Sequence, residues 1–448
     1  MLPAANYVFA TSRLHPGRDG GYTVASLRRT RQFLDYGGAA SVILTFDLAP
    51  SYEVHRSGFR ELGLTAEGQI MRNLFEDTLT EPEWLWAAAN PNLTTMGDVA
   101  YDDHADAEGR VLLSTPNAPR ADWHRTTEPL LAYRNGRVVG GFEGFGGFYR
   151  AWVSRIIAGF DNSLPTVIIA ESRQVGELLW PLRGKQVRLV HTVHSAHTQP
   201  PHGWDSPVDE LWGGWLDGLA NYDAVVFPTV AQRDDVARRF GEPTRLEVIP
   251  HALEAPADGD ASGDAVEFDP SLVAMITRLV PLKRVDHVIR AIAALRARGA
   301  STRLEVFGDG PSRTDLEALI TELGVADSVT LLGHVADPGI RVGRAAVSVL
   351  SSTYEGQPLA VLESLMRGTP VVAYDINYGP RDMVEHGVNG LLVPPGDVEA
   401  LTDAIGQILD DDALRARLAA GARATVDRLG PVPVMRRWAA LLTDVLAG

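Results

Sequence analysis

The sequence predicts an α/β protein of two doubly wound domains, each a parallel sheet covered by helices, with an antiparallel β insertion in the first half. Three observations carry this. Short apolar runs alternate with helical patterns through both halves. Between the halves lies "EAPADGDASGDAVEFDPS", rich in Ala, Asp, Gly and Pro and without period, which reads as a linker and as a hinge for a cleft. Within the first half, "AYRNGRVVGGF" sets Asn135 and Gly136 between alternating apolar residues, the strongest short hairpin signal. At 448 residues with 45% hydrophobic content, the chain also exceeds what one core usually supports.

In the first half the expected strands are "YVFATS", "SVILTF", "TVIIAES", "VRLVHTVH" and "DAVVFPT", the last followed by the helical "AQRDDVARRFG". The interruption at about 90–150 holds the hairpin and a further strand in "DAEGRVLLS". The second half runs "LVAMIT", helix "VDHVIRAIAALRARG", "RLEVFG", helix "RTDLEALITELG", "SVTLLG", "AAVSVLSS", helix "LAVLESLMRG", "TPVVAY" and "GLLVPPG". The boundaries expected are 1–255 for the first domain, 256–269 for the linker, 270–429 for the second domain and 430–448 for a terminal amphipathic helix, whose Trp438 needs a packing surface.

Composition removes several function classes. No stretch approaches the roughly 18 uncharged apolar residues that span a bilayer, and the start lacks a secretion signal, so the expected location is the cytoplasm. The absence of cysteine excludes disulfides, thiolate metal sites and thiol redox chemistry. With 57 acidic against 41 basic residues, a net charge of −16 disfavours nucleic acid and any non-specific hold on an anionic membrane face. A polyanion must then be met locally. One basic cluster is "SLRRTRQF", with Arg28, Arg29 and Arg31 on a predicted helix, and a solvated helix face is its plainer reading.

Open parallel sheets bind ligands beyond the carboxyl ends of their strands, so the residues just after each strand matter most. In "AMITRLVPLKRVDHVI", Arg278 follows a strand, while Lys283 and Arg284 stand at the start of the next helix, where cations oppose the helix dipole unless an anion sits among them. In "STYEGQPLAVLESLMRGTP", Pro358 suits a first helical position, and the free amides there suit an anion. Glu355 precedes that helix. Glu363 lies beside its apolar stripe and should face a hydroxyl-bearing partner. The glycine turns "VFGDGPSR" and "LLGHV" match neither a dinucleotide fingerprint nor a Walker A loop.

In the first half, Gly20 and Gly21 lie between the first strand and first helix, where a backbone without side chains approaches a ligand closely; taken alone they read as a plain turn. The cluster "HTVHSAHTQPPH" holds His191, His194, His197 and His202. Strand alternation sends His191 and His194 to opposite faces and no metal-binding helix motif is present, so a cleft role for His194 is favoured over a metal site.

Together these pieces resemble family 4 glycosyltransferases of the GT-B fold. "TRLVPLKRVD" resembles that family's Gly-Arg-Leu-x-Pro-x-Lys element and "YEGQPLAVLE" its Glu-x7-Glu element, followed by "GTPVVAYD" and "GVNGLLVPPGD" in the expected order. In the first half the likeness rests on Gly20, Gly21, "TVHS" and "IPH" at 249–251. The resemblance implies two facing Rossmann-like domains with an interdomain cleft, a nucleotide-sugar between them, and the last helix crossing back to the first domain. It implies that Arg278 and Lys283 hold a donor diphosphate and that Glu363 bonds the ribose hydroxyls. Glu355 and His194 would lie beside the transferred sugar, with His191 and His197 as alternative registers for the histidine. Main-chain groups near Gly333, His334 and Val335 would meet the base, and those of Gln357, Pro358 and Leu359 the sugar and phosphate. Two positions depart from the family pattern: Thr277 replaces a glycine, and Pro358 lacks an amide where many members have glycine.

The reaction so implied is retaining transfer of a hexose from a UDP-sugar to a hydroxyl, without metal or other cofactor. The "LKRVD" variant, the Glu-x7-Glu region and the hairpin-rich insertion further resemble bacterial enzymes that place α-linked glucose or N-acetylglucosamine on polyol-phosphate wall teichoic acids. That likeness implies a homo-oligomer and offers the three arginines as a phosphate-polymer contact. A glycan, protein, lipid or small-metabolite acceptor stays open, as do peripheral membrane association and a non-catalytic partner subunit on the same fold. A phosphorylase or epimerase is a third reading, for which the sequence offers no pyridoxal-phosphate lysine context.

Overall fold

The computed structural model describes residues 1–16, 20–49, 51–117, 123–254, 267–335 and 338–448. Among the described residues, seventeen strands form three sheets. The first sheet is built from β1 (Asn6–Thr11), β2 (Ser41–Thr45), β3 (Ile70–Asn73), then, after the insertion strands β4 (Tyr101–Ala105), β5 (Val111–Pro116), β6 (Leu130–Arg134) and β7 (Arg137–Phe142), from β8 (Thr166–Ala170), β9 (Val187–Thr192), β10 (Ala224–Phe227) and β11 (Arg245–Val248). Its order is β11-β10-β9-β8-β1-β2-β3, all parallel. The second sheet comprises β12 (Asp269–Ile276), β13 (Arg303–Phe307), β14 (Val329–Gly333), β15 (Ala345–Leu350), β16 (Val371–Tyr374) and β17 (Gly390–Val393), in the order β14-β13-β12-β15-β16-β17. Both are doubly wound, as the alternation of apolar runs and helices predicts.

Strand order decides where ligands go. The first sheet grows outward from β1 toward β3 and then restarts at β8 on the other side, so its switch point lies between β1 and β8. The second switches between β12 and β15. At such points the flanking loops part and leave a crevice beyond the carboxyl ends of the strands. The residues after β1, β8, β12 and β15 are therefore the candidates to face a ligand.

The insertion forms an antiparallel sheet, β4-β5-β6-β7, turning between β6 and β7 at Asn135 (φ 53°) and Gly136 (φ 72°). Positive φ at both central residues gives the twist a two-residue hairpin needs. Leu112, Leu113, Leu130, Ala132 and Phe142 join the same core as Phe46, Phe75, Phe148 and Trp152, so the insertion is welded to the first domain.

Two strands, β3 and β11, arise from segments without a marked strand pattern, "IMRN" and "RLEV". Both are edge strands of four residues, and a parallel neighbour rather than their own sequence holds them extended. Residues 256–266 of the expected linker lie outside the described residues, and Asp269 already belongs to β12.

The expected arginine face is corrected by the structure. Arg29 is buried and bonds Glu171, Arg28 reaches Glu363 in the other domain, and only Arg31 stays on the surface, paired with Asp35 and the Gly63 carbonyl. Helical rotation of about 100° per residue sends the three guanidinium groups in different directions.

The terminal helix Pro431–Ala447 returns to the first sheet, where Val434, Trp438, Leu441 and Leu442 pack on Tyr7, Phe9, Phe33, Val167 and Val226. Trp438 meets the Phe33 ring edge-on at 5.5 Å. Truncating it leaves a void among rigid strands, so Trp438→Ala should lower the free energy of unfolding by about 3–5 kcal/mol, read from urea midpoints.

Three histidines add a pH dependence. Burial, aided by the Arg173 charge in both cases, pushes the His124 and His191 imidazoles down to about 3, and burial with Arg239 nearby pushes His197 down to about 4. Each is neutral when folded but takes up a proton below about 6.5 once unfolded, so acid favours the unfolded chain. Their stabilisation is complete above that value. Denaturation at stepped pH should show it lost between pH ~6.5 and the depressed values, by up to about 1.4 kcal/mol per pH unit for each histidine.

Candidate active site

Chemistry-bearing residues gather where the two switch points meet. After β12 the chain makes a loop through Thr277 and Arg278 to the short turn Pro281–Lys283. The glycines of "FGDGP" hold this loop: Leu279 donates to the Asp309 carbonyl and Ser312 to that of Leu279, each N–H to oxygen. A Cβ on Gly308, at φ 139°, would stand 1.8 Å from the Thr277 carbonyl oxygen, so only glycine fits there. Arg278 is thereby presented at the surface, without an ion-pair partner among the described residues.

After β15, Ser352 donates to Glu355 Oε1 at 2.6 Å, and Lys283 Nζ lies 2.5 Å from the same oxygen. The helix Leu359–Met366 follows. Pro358 occupies the cap rather than the expected first helical position, with φ −71° and ψ 106°, because its carbonyl already accepts from Val361 and Leu362. Among the described residues no acceptor meets the amides of Leu359 and Ala360, two of the orphan donors of a helix start. One cation, one cation–carboxylate pair and these amides thus surround a single region.

Glu363, one turn into the helix, meets a guanidinium of the first domain. Arg28 of the first domain donates to it at 3.3 Å, with side chains 30% and 22% exposed. At this distance and exposure the Arg28–Glu363 contact contributes less than about 1 kcal/mol.

The first domain supplies the opposite wall. Gly20, at φ 54°, lies where a Cβ would be 3.9 Å from the Arg278 side chain, and one on Gly21 would be 3.7 Å from Leu359. Gly356 is closer still: its missing Cβ would stand 2.3 Å from the His194 carbonyl oxygen. The Gln357 side chain is committed to the domain junction, where its Oε1 accepts from the His251 backbone N–H at 2.6 Å. Gly333, His334 and Val335 sit at the end of β14, two strands from β12, tied in by the Gly308 N–H bond to the Gly333 carbonyl at 2.7 Å. His334 is exposed.

Of the three candidate histidines, His191 is buried against Trp215 and Tyr222, and His197 lies parallel to Tyr378. His194 is the one at the meeting of the switch points, between Tyr22 and His251, with Nε2 at 2.5 Å from Glu171. Burial opposes ionisation of Glu171, but the Arg29 charge, then His194 and Thr192, outweigh it and hold the carboxyl well below its usual range. Burial and the same arginine push the His251 imidazole far down.

Sequence reading did not single out Glu171, and it offered Arg28 as one of three arginines for a phosphate polymer, not as the partner of Glu363. Glu171 directly follows the apolar strand "TVIIA", so the rule that drew attention to Arg278 would have flagged it. Arg28 carries no such signal, because its partner is 335 residues away.

Residues 264–425 match the family model described as glycosyl transferases group 1, and residues 105–255 that of glycosyltransferase family 4. A GDP-mannose-dependent alpha-(1-6)-phosphatidylinositol monomannoside mannosyltransferase of Mycolicibacterium smegmatis is 30% identical over 403 residues, 85% of this chain and 92% of that protein. An exopolysaccharide phosphotransferase of Streptomyces coelicolor is 36% identical over 227 residues, and a poly(glycerol-phosphate) alpha-glucosyltransferase of Bacillus subtilis 26% identical over 228. These cover 50% and 51% of this chain but only 24% and 34% of those longer proteins. Among solved structures, a mutant of S. aureus TarM in complex with fondaparinux, alpha-GlcNAc-glycerol and UDP superposes with a TM-score of 0.74 at 16% identity, covering 98% of this chain and 99% of that one. The pneumococcal O-GlcNAc transferase GtfA, with UDP and GlcNAc, gives 0.75 at 15% identity over 100% of both chains. Two facing doubly wound domains, the matched family models and a relative aligned along nearly its whole length place the chain in the family 4, group 1 glycosyltransferases of the GT-B fold.

Proposed function

We propose that the protein transfers a hexose, glucose or N-acetylglucosamine, from a UDP-sugar to a hydroxyl acceptor with retention of anomeric configuration. The observation that carries this reading is the convergence of Arg278, the Lys283–Glu355 pair and the unengaged amides of Leu359 and Ala360 on one region of a cleft otherwise set in an acidic protein. A diphosphate suits that place: it would draw Lys283 from Glu355, meet Arg278 and complete the helix start. Ribose hydroxyls would displace Arg28 from Glu363 at small cost, since the ion pair is weak. As the sugar–phosphate bond loosens, negative charge grows on the leaving nucleotide, and donors fixed in advance stabilise it without reorganisation. The acceptor proton passes to the departing phosphate oxygen. These groups occupy the role a metal ion would otherwise take, so activity should persist in excess EDTA.

For the acceptor we favour a polyol-phosphate polymer. The support is the likeness to polyol-phosphate glycosyltransferases such as the Bacillus subtilis relative. The arginine cluster lends none, because its members point apart. The deciding experiment presents radiolabelled UDP-glucose and UDP-N-acetylglucosamine with polyol-phosphate polymers, oligosaccharides, peptides and lipids. Transfer confined to a non-phosphorylated acceptor would reject the polymer assignment, and no turnover of any sugar nucleotide would reject the enzyme.

Arg278→Ala should lower kcat by about 10²–10³-fold if the cation meets the leaving group, and a rate within a few-fold of wild type would remove it from that role. Gly356→Ala tests the closeness of the two walls. The atom it would strike is backbone, so the domains must part, and kcat/KM should fall by about tenfold or more while thermal stability changes little.

A further inference from the structure

We propose that Glu171 is a positioning residue that holds His194 in the tautomer protonated on Nε2, leaving Nδ1 as the ring atom that accepts a hydrogen bond from a substrate hydroxyl in the cleft. The inference rests on the proposed transferase reading and adds a residue to it.

Glu171 sits one residue beyond β8, at the first switch point, with its side chain 0% exposed. Arg29 Nη1 donates to both carboxylate oxygens, at 2.5 and 2.6 Å, and Thr192 Oγ1 donates to Oε2 at 2.7 Å. Ser26 Oγ adds a long bond to Oε2 at 3.5 Å, and the last partner is His194 Nε2, 2.5 Å from Oε2. An ionised carboxylate has no proton to give, so the ring nitrogen facing it must donate. Thr192 is consistent with the same proton. Its single hydroxyl hydrogen is used on Glu171, so at 3.3 Å from His194 Nε2 it can only accept, which again places the ring proton on Nε2.

Two neighbouring rings flank the imidazole. His251 lies nearly parallel to it at 5.4 Å and 20°, and Tyr22 meets it edge-on at 4.9 Å and 76°. Nδ1 makes no hydrogen bond among the described residues, and the His194 side chain retains 11% exposure. The same backbone carries the carbonyl against which Gly356 packs, so the open edge of the ring and the loop of Glu355 border one space. A lone pair at Nδ1 accepts from a hydroxyl, whereas the other tautomer would present an N–H and repel its hydrogen. Glu171 therefore acts through His194 and touches no substrate itself.

The test uses the full chain, labelled with ¹⁵N-histidine, whose 12 histidines are read by two-bond ¹⁵N–¹H correlation and whose His194 signal is identified by its loss in His194→Asn. Wild-type His194 should show the Nε2–H tautomer. In Glu171→Gln that pattern should give way to a mixture containing Nδ1–H, and kcat for UDP-sugar turnover should fall about 10–100-fold. UDP affinity should stay unchanged, because the nucleotide meets the second domain. A carboxylate with only a structural role would lower thermal stability and leave the tautomer alone. Where Glu171→Gln fails to fold because Arg29 is left as a buried unpaired charge, Arg29→Met combined with Glu171→Gln removes both charges and takes the same readouts. Nδ1–H or a doubly protonated ring in the wild type, or an unchanged tautomer or full kcat in the variant, overturns the proposal. Absence of turnover in the wild type would instead reject the transferase reading, and the wild-type spectrum would still decide the tautomer.

Discussion

A charge sealed inside the first domain organises the structure around it. Glu171 is fully withdrawn from solvent, and a carboxylate there is tolerated because Arg29, Thr192 and His194, with a longer bond from Ser26, direct donors at it. Arg29 in turn stands 5.4 Å from the Trp438 ring and 3.1 Å from His251 Nδ1. The His251 backbone N–H is held by Gln357 of the second domain. One ion pair thus links the first helix, β8, β9, the terminal helix and the opposing sheet. Breaking it would leave a buried charge that no local rearrangement can solvate.

This dependence explains why the domains meet as they do. Apolar packing seats the terminal helix on the first sheet, but apolar contact is non-directional and sets no register. Direction comes from hydrogen bonds at the junction and from glycine at 356, where the loop of one domain approaches the backbone of the other more closely than any side chain allows. The cleft is consequently narrow where His194, Glu355 and Arg278 converge. The Arg28–Glu363 pair closes the same space weakly and leaves it able to open.

Several parts of the candidate site are legible in the sequence. Arg278, Lys283, Glu355 and the start of the helix after Pro358 stand out as candidates because each follows a strand, and the rule that ligands lie at strand ends needs only local pattern. The fate of each cation was not legible. Lys283 finds Glu355 72 residues on, and Arg29 finds Glu171 142 residues on. A run of arginines on one predicted helix therefore read as one face, although its members serve a buried pair, an interdomain contact and the solvent.

By itself the sequence determined the two doubly wound sheets, the hairpin at Asn135 and Gly136, and the glycines after β13, because periodicity and positive φ are properties of a few neighbouring residues. Tertiary structure alone decided that "IMRN" and "RLEV" are strands, which histidine reaches the cleft, and that Glu363 meets a guanidinium. Those outcomes depend on partners supplied from distant parts of the chain, and the free energy of pairing belongs to the assembled fold and to no segment within it.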